Sequence, residues 1–177
     1  MRRRAIVKKR RPDRLSKVFF CEAVISPLEE HLRTTGLEHR EEAGLIAGYI
    51  IGSSIGIGTT VLLPYTENTS VACALPIDIT MGCIETVNRT GQVVLAQVHT
   101  HPGRVCGHSC TDDKWAFSDC PGLFSLVVPC FGRFGIRNIF TDGVAVYERL
   151  TNGKWYRLPP SEVRQRFFIV PNYRVII

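Results

Sequence analysis

A chain of 177 residues, 45% of them hydrophobic, is long enough to bury one sizeable core and too apolar to stay disordered. The net charge of +6 is concentrated at the start, where residues 1–14 hold eight basic side chains against one acid; the remainder is close to neutral, unlike many nucleic-acid-binding domains. No apolar run reaches the length of a membrane span and no secretory signal follows the basic start, so the expectation is a cytoplasmic protein with no membrane partner.

Residues 1–16 read as a basic, disordered leader, 17–158 as one folded domain and 159–177 as a tail without assigned structure. Any contact of the leader with nucleic acid or an acidic partner would be a sideline. Val18-Phe19-Phe20 is a short strand or core anchor. Ser26-Pro27-Leu28-Glu29 predicts a helix start, with Ser26 as cap and Glu29 completing a capping box, and a stop at Gly36. Gly44 to Ile51 reads as a buried strand, with 59–64 as its hairpin partner and 71–75 as another short strand. Ile77, Met81, Ile84 and Val87 recur at three- or four-residue spacing and predict an amphipathic helix over 78–89, ended by Gly91. Gln92 to Val98 is a strand, 102–112 a loop and 113–118 a short helix. Leu123 to Val128 is again strand-like. Two hairpins are expected, one joining 134–140 to 144–150 through Asp142-Gly143 and one at Asn152-Gly153. Strands with interspersed helices predict an α/β sandwich around one curved sheet.

The chemistry concentrates at His99-Thr100-His101-Pro102, followed by Ser109 and Asp112. Side chains two apart on a strand share a face, so both imidazoles can meet one ion. A loop of the length that follows can bring Asp112 back as a third ligand. Two His and one carboxylate with an open position is the pattern of catalytic zinc, which activates water. Such a site needs a carboxylate to move protons, and Glu41 and Glu42 both precede the strand that begins near Gly44. Ser109 is a candidate donor to an oxyanion.

These residues resemble the JAMM signature of the JAB/MPN metalloenzymes. The match comprises His99-Thr100-His101-Pro102, six residues, Ser109, two residues and Asp112, with Glu41-Glu42-Ala43-Gly44-Leu45-Ile46-Ala47-Gly48 fitting the upstream Glu-x-x-Gly-Leu-x-x-Gly. The resemblance covers roughly residues 18–150. It implies Glu41 rather than Glu42 as the acid/base, His99, His101 and Asp112 as ligands of one zinc, and Ser109 as the oxyanion donor. It implies a single MPN domain, an α/β sandwich like that of cytidine deaminases, with a curved mixed sheet flanked by helices. It further implies cleavage after the C-terminus of ubiquitin or a ubiquitin-like protein, with activating and conjugating enzymes as partners. The alternatives are an inactive MPN scaffold and a peptidase acting on a sulfur-carrier or small peptide. A zinc deaminase fits poorly, because His101 stands where such enzymes carry Glu and Pro129-Cys130 lacks its second cysteine.

The seven cysteines are odd in number and read as free thiols in a reducing compartment. Cys106, His108, Cys110 and Cys120 crowd the metal loop, yet Cys-x-His-x-Cys matches no common zinc framework. Asp113 is the fallback ligand if the loop register slips by one. Trp115 and Phe117 are expected to pack a short helix on the core. His31 and His39 read as surface residues.

Overall fold

The computed structural model of the chain describes residues 13–171 apart from 65, 105–106, 115 and 141–142. In chain order the elements are β1 (Lys17–Cys21), α1 (Glu22–Gly36), β2 (Ala43–Ile51), β3 (Ile55–Leu62), β4 (Glu67–Asn68), β5 (Cys73–Ala74), α2 (Ile77–Arg89), β6 (Val93–Thr100), α3 (Cys110–Lys114), β7 (Phe124–Val128), β8 (Ala145–Arg149), β9 (Trp155–Arg157), α4 (Pro160–Arg166) and β10 (Phe167–Val170). Eight strands form one mixed sheet in the order β10-β1-β3-β2-β6-β7-β8-β9, and β4 and β5 form a separate small hairpin.

Alternation along the strands divides the sheet into two unlike faces. Ala96 and Val98 on β6, Phe124, Leu126 and Val128 on β7 and Val146 on β8 join the main core with Val24, Ile25, Leu28 and Leu32 of α1 and Val163 of α4. Each fully buried side chain of this size stabilises the fold by about 1.5–3 kcal/mol. On the opposite face, Leu45 and Ala47 of β2 pack with Val87 of α2 and with Phe117, while Val127, Ala145 and Tyr147 form a second small cluster with Trp155.

Two glycines explain why β2 lies where it does. A Cβ on Gly44 would stand 2.8 Å from Leu28 Cδ1, so its absence lets α1 settle on the strand. One on Gly48 would stand 1.8 Å from the Ile57 carbonyl, at the irregularity where the β2–β3 register shifts.

Five expectations need correction. Helix α1 starts at Glu22, one turn before Ser26, directly after β1. Val24 and Ile25 are as buried as Leu28 and Leu32, and their packing outweighs the capping signal, leaving Pro27 inside the helix. The short helix expected over 113–118 is α3, which starts at Cys110, directly after Ser109. Residues 134–140 are not a strand: Cys130–Gly132 and Arg137–Phe140 are 3₁₀ turns, with Ile136 and Ile139 buried at three-residue spacing. Strand β8 instead pairs antiparallel with β7 and β9, and Asp142 lies outside the described residues. Finally, the fold does not end at residue 158. Helix α4 follows Pro159, and β10 pairs parallel with β1 at the sheet edge. At the other end Leu15 is fully buried, although the leader was expected to run to residue 16; residues 1–12 lie outside the described residues.

The hairpin partner of β2, expected at 59–64, is β3 at Ile55–Leu62. Helix α2 spans Ile77–Arg89 and Gly91 follows with φ +69°, while Gly153 takes φ +77° in the β8–β9 turn. No helix among the described residues is long and apolar enough to cross a membrane.

Candidate metal centre

Strand pairing places the first groups. Strands β2 and β6 run antiparallel with Ala43 opposite His99. The pairing continues past both strand ends: Glu42 N–H donates to Thr100 Oγ1 (2.8 Å) and Thr100 N–H donates to the Glu42 carbonyl (2.9 Å). This register sets Glu41 beside His101, and alternation turns Glu41, His99 and His101 to one face and Glu42 and Thr100 to the other.

The two carboxylates accordingly have different surroundings. Glu41 lines a cleft of about 350 Å³ together with His99, His101, Ser109 and Asp112. Burial raises its pKa, with Asp112 adding to the effect and His101 opposing it. Glu42 accepts hydrogen bonds from Thr66 Oγ1 (2.5 Å), Asn68 Nδ2 (3.2 Å) and its neighbour Ala43 N–H (2.8 Å). His31 Nε2 stands 3.5 Å away, so His31 is not the bare surface residue expected. Burial works against Glu42 ionising, but these partners hold its pKa below the ordinary value.

The strand exit is held by backbone. His101 N–H donates to the Val128 carbonyl (2.9 Å), and Phe131 N–H and Cys130 N–H donate to the His101 and Gly103 carbonyls (2.8 and 3.0 Å). Cys130 and Phe131 both take φ +54° to make these bonds, a left-handed conformation that non-glycine residues rarely adopt.

The third ligand candidate sits in the first turn of α3. Ser109 caps that turn reciprocally with Asp112: Ser109 N–H donates to Asp112 Oδ2 (2.5 Å) and Asp112 N–H donates to Ser109 Oγ (3.1 Å). His99 Nε2 then lies 3.4 Å from Asp112 Oδ1 and His101 Nε2 lies 3.5 Å from Asp112 Oδ2. Burial opposes ionisation of Asp112, but the two imidazoles and Ser109 N–H hold its carboxyl well below the usual carboxylate range. Asp112 in turn raises the His101 pKa.

These residues fit a divalent cation. One ligand atom from each of His99, His101 and Asp112 lies within 4.8 Å of the others, and His99 Nε2 is buried without a hydrogen-bond partner. Imidazole and carboxylate donors suit such an ion, and coordination would satisfy the orphaned nitrogen. The fallback Asp113 is turned away and binds His108 instead.

Several neighbours escaped the sequence reading. Val71, Ala72, Cys73 and Leu75, around the β4–β5 hairpin, wall the cleft opposite the ligands. Burial, with Glu42 nearby, pushes the Cys73 thiol up to about 12, so it is no thiolate nucleophile at neutral pH. Gln97 was signalled by its position two before His99 on the same face; its side chain accepts from Phe117 N–H (2.8 Å). Phe117 is buried, as expected, and Trp115 lies outside the described residues. His108 is buried beneath the loop, and burial, reinforced by His99, lowers its pKa. Cys73, Cys83, Cys120 and Cys130 are free thiols, while Cys106 and the Cys110 side chain lie outside the described residues.

Comparison with known proteins bears on this centre. No family model matches the chain. The fold resembles the solution structure of protein DSY2949 from Desulfitobacterium hafniense, with a TM-score of 0.63 at 14% identity over 89% of this chain and 95% of that one. In sequence, the chain is 30% identical over 143 residues to the probable metalloprotease y4jG of Sinorhizobium fredii, covering 77% of this chain and 84% of that protein. That similarity, along nearly the whole relative, places the chain in the same metalloprotease family, whose name implies a bound metal.

Proposed function

We propose that the protein is a zinc peptidase of the JAMM type on an MPN fold, hydrolysing the peptide or isopeptide bond after the C-terminus of ubiquitin or a ubiquitin-like protein. The observation that carries this reading is the arrival of Glu41, His99, His101 and Asp112 in one cleft from three separate segments of the chain. His99, His101 and Asp112 would hold the ion, leaving a coordination position for solvent. When bound there, zinc supplies Lewis acidity that lowers the pKa of water to about 7 and polarises a carbonyl.

The chain's own groups do the rest. Glu41, with its raised pKa, is placed to take a proton from the attacking water and hand it to the leaving amine. Water oxygen adds to the carbonyl carbon, the C–N bond breaks, and the amine leaves with the proton Glu41 carried. Ser109 Oγ accepts a hydrogen bond from Asp112 N–H, which leaves its O–H able to donate to the oxyanion. Leu45, Val71 and Leu75 give the cleft apolar walls, which suits an extended, small-residue chain end. The activating and conjugating enzymes of the same modifier would be its partners, and the cytoplasm its location.

The test is to incubate the zinc-loaded protein with ubiquitin-like fusions and locate the cut by mass spectrometry. A cut directly after the modifier's terminal residue supports the assignment. A protein that carries no stoichiometric metal and cuts nothing is instead a scaffold. Cleavage restricted to sulfur-carrier precursors or short peptides would move the substrate class but not the chemistry.

A further inference from the structure

His108 belongs to no part of the proposed reaction, yet it is the most heavily engaged side chain of the metal loop. Its ring is 6% exposed and lies between Tyr147 and Trp155, with ring centroids 5.0 and 4.8 Å away. Its edge meets His99, centroid to centroid 6.0 Å at 81°. His108 N–H donates to the Tyr147 hydroxyl (3.1 Å). Nδ1 is 3.0 Å from Asp113 Oδ1 and Nε2 is 3.3 Å from Ser125 Oγ.

Asp113 accepts and cannot donate when ionised, so Nδ1 carries the imidazole proton. Nε2 pairs with Ser125 Oγ on β7. The same Ser125 oxygen accepts from Gln97 Nε2 (3.2 Å), and Gln97 Oε1 accepts from Phe117 N–H (2.8 Å). The result is a continuous run of hydrogen bonds from Asp113 through His108, Ser125 and Gln97 to the backbone beyond α3. It ties both ends of the ligand-bearing turn to β6 and β7. Gln97 and His99 share a face of β6, so the strand that carries the metal-facing imidazole also holds the anchor.

We infer that His108 is a positioning residue for the metal centre: a buried imidazole that plugs the loop onto the sheet and so fixes Asp112 and Ser109 opposite His99 and His101. The inference rests on the metal-centre reading above. His108 contacts no ligand atom of the ion and acts through the loop and through the edge of the His99 ring. Groups that hold metal ligands in place commonly change metal affinity by about 10- to 100-fold when removed.

The experiment uses the full chain with zinc and cobalt as probes. Zinc affinity is measured by competition with a chromophoric chelator for wild type, His108→Phe and Ser125→Ala, alongside thermal unfolding of each metal-free protein. His108→Phe keeps the ring packing and deletes both ring hydrogen bonds; its zinc affinity is expected to fall about 10- to 100-fold. Ser125→Ala leaves the loop sequence intact and should weaken zinc by about fivefold, the worth of one hydrogen bond. The cobalt absorption bands should shift in both variants, because the ligand geometry loosens. A merely structural role would lower the metal-free melting temperature while leaving affinity and cobalt spectrum unchanged, and that result overturns the inference. Should His108→Phe fail to fold, Ser125→Ala decides alone. Wild type that takes up neither ion would overturn the centre itself, a failure distinct from unchanged affinity in the variants.

Discussion

Two of the charged and polar clusters that the sheet buries, one on each face, are built on opposite rules. On the α4 side, all five N–H groups of the Arg166 guanidinium are engaged. They donate to the Leu15 carbonyl (3.0 and 2.6 Å), to both Glu148 oxygens (2.8 and 2.7 Å) and to Glu162 Oε1 (2.9 Å). Arg14 closes the cluster on Glu162, and the guanidinium lies over the Phe124 ring. Burial alone would lower the Arg166 pKa, and the two carboxylates raise it instead. On the other face, His99 Nε2 has no partner, Glu41 is driven toward its protonated form, and two imidazoles share one carboxylate. Saturated charge ties Leu15 and α4 to β8. Charge left unsaturated, and converging, marks where the protein has kept a place for something else.

Substitutions can break this contrast. The largest effect belongs to the ligands: His99→Ala or Asp112→Ala should reduce bound zinc from one per chain to none and abolish cleavage. Elemental analysis and far-UV circular dichroism together check that metal is lost while the fold remains. Glu41→Gln comes next. It should keep zinc at wild-type stoichiometry while kcat falls by about 10²–10⁴-fold, the usual worth of a general acid/base. Full turnover in that variant would remove Glu41 from the mechanism.

Arg166→Ala tests the opposite cluster. It strands the buried Glu148 carboxylate and should cost about 3–5 kcal/mol in urea unfolding. Zinc affinity of the folded fraction should stay at the wild-type value; a parallel fall would show that the two faces are coupled.

The smallest effect is at Glu42, where Glu42→Gln should cost about 1–3 kcal/mol at neutral pH, the worth of hydrogen bonds to a charged group. Its folded pKa is depressed, so its contribution is complete above the unfolded value of about 4.3 and is lost as pH falls through the folded value. The stability gap between wild type and Glu42→Gln should therefore shrink below about pH 4. A gap that stays constant under acid would mean that the neutral form is held equally well.

The grouping of His99, His101 and Asp112 was legible in one dimension because its geometry is local. His99 and His101 lie two apart at the end of a strand, and Ser109 and Asp112 lie three apart in one capped turn. Periodicity likewise sufficed for α2, β2, β6 and the β8–β9 hairpin. The errors fell where local signals met long-range packing. Ser26-Pro27 advertises a helix start, but the buried Val24 and Ile25 extend α1 past it. Phe167–Val170 is rich in aromatic and β-branched residues, yet its partner β1 lies at the far end of the chain.

By itself, the sequence determined which side chains can share a strand face or a helical turn, because those relations depend only on the two- and 3.6-residue periods of the backbone. Only the tertiary structure set Glu41 in the cleft with His99, His101 and Asp112 and Glu42 on the other side of the strand. Adjacent residues on an extended chain point to opposite faces, and it is the pairing of Glu42 with Thr100 that says which face is which. The place of His108 was decided in the same way. Its partners come from β6, β7, β8, β9 and the loop, and nothing in their spacing brings them together before the sheet forms.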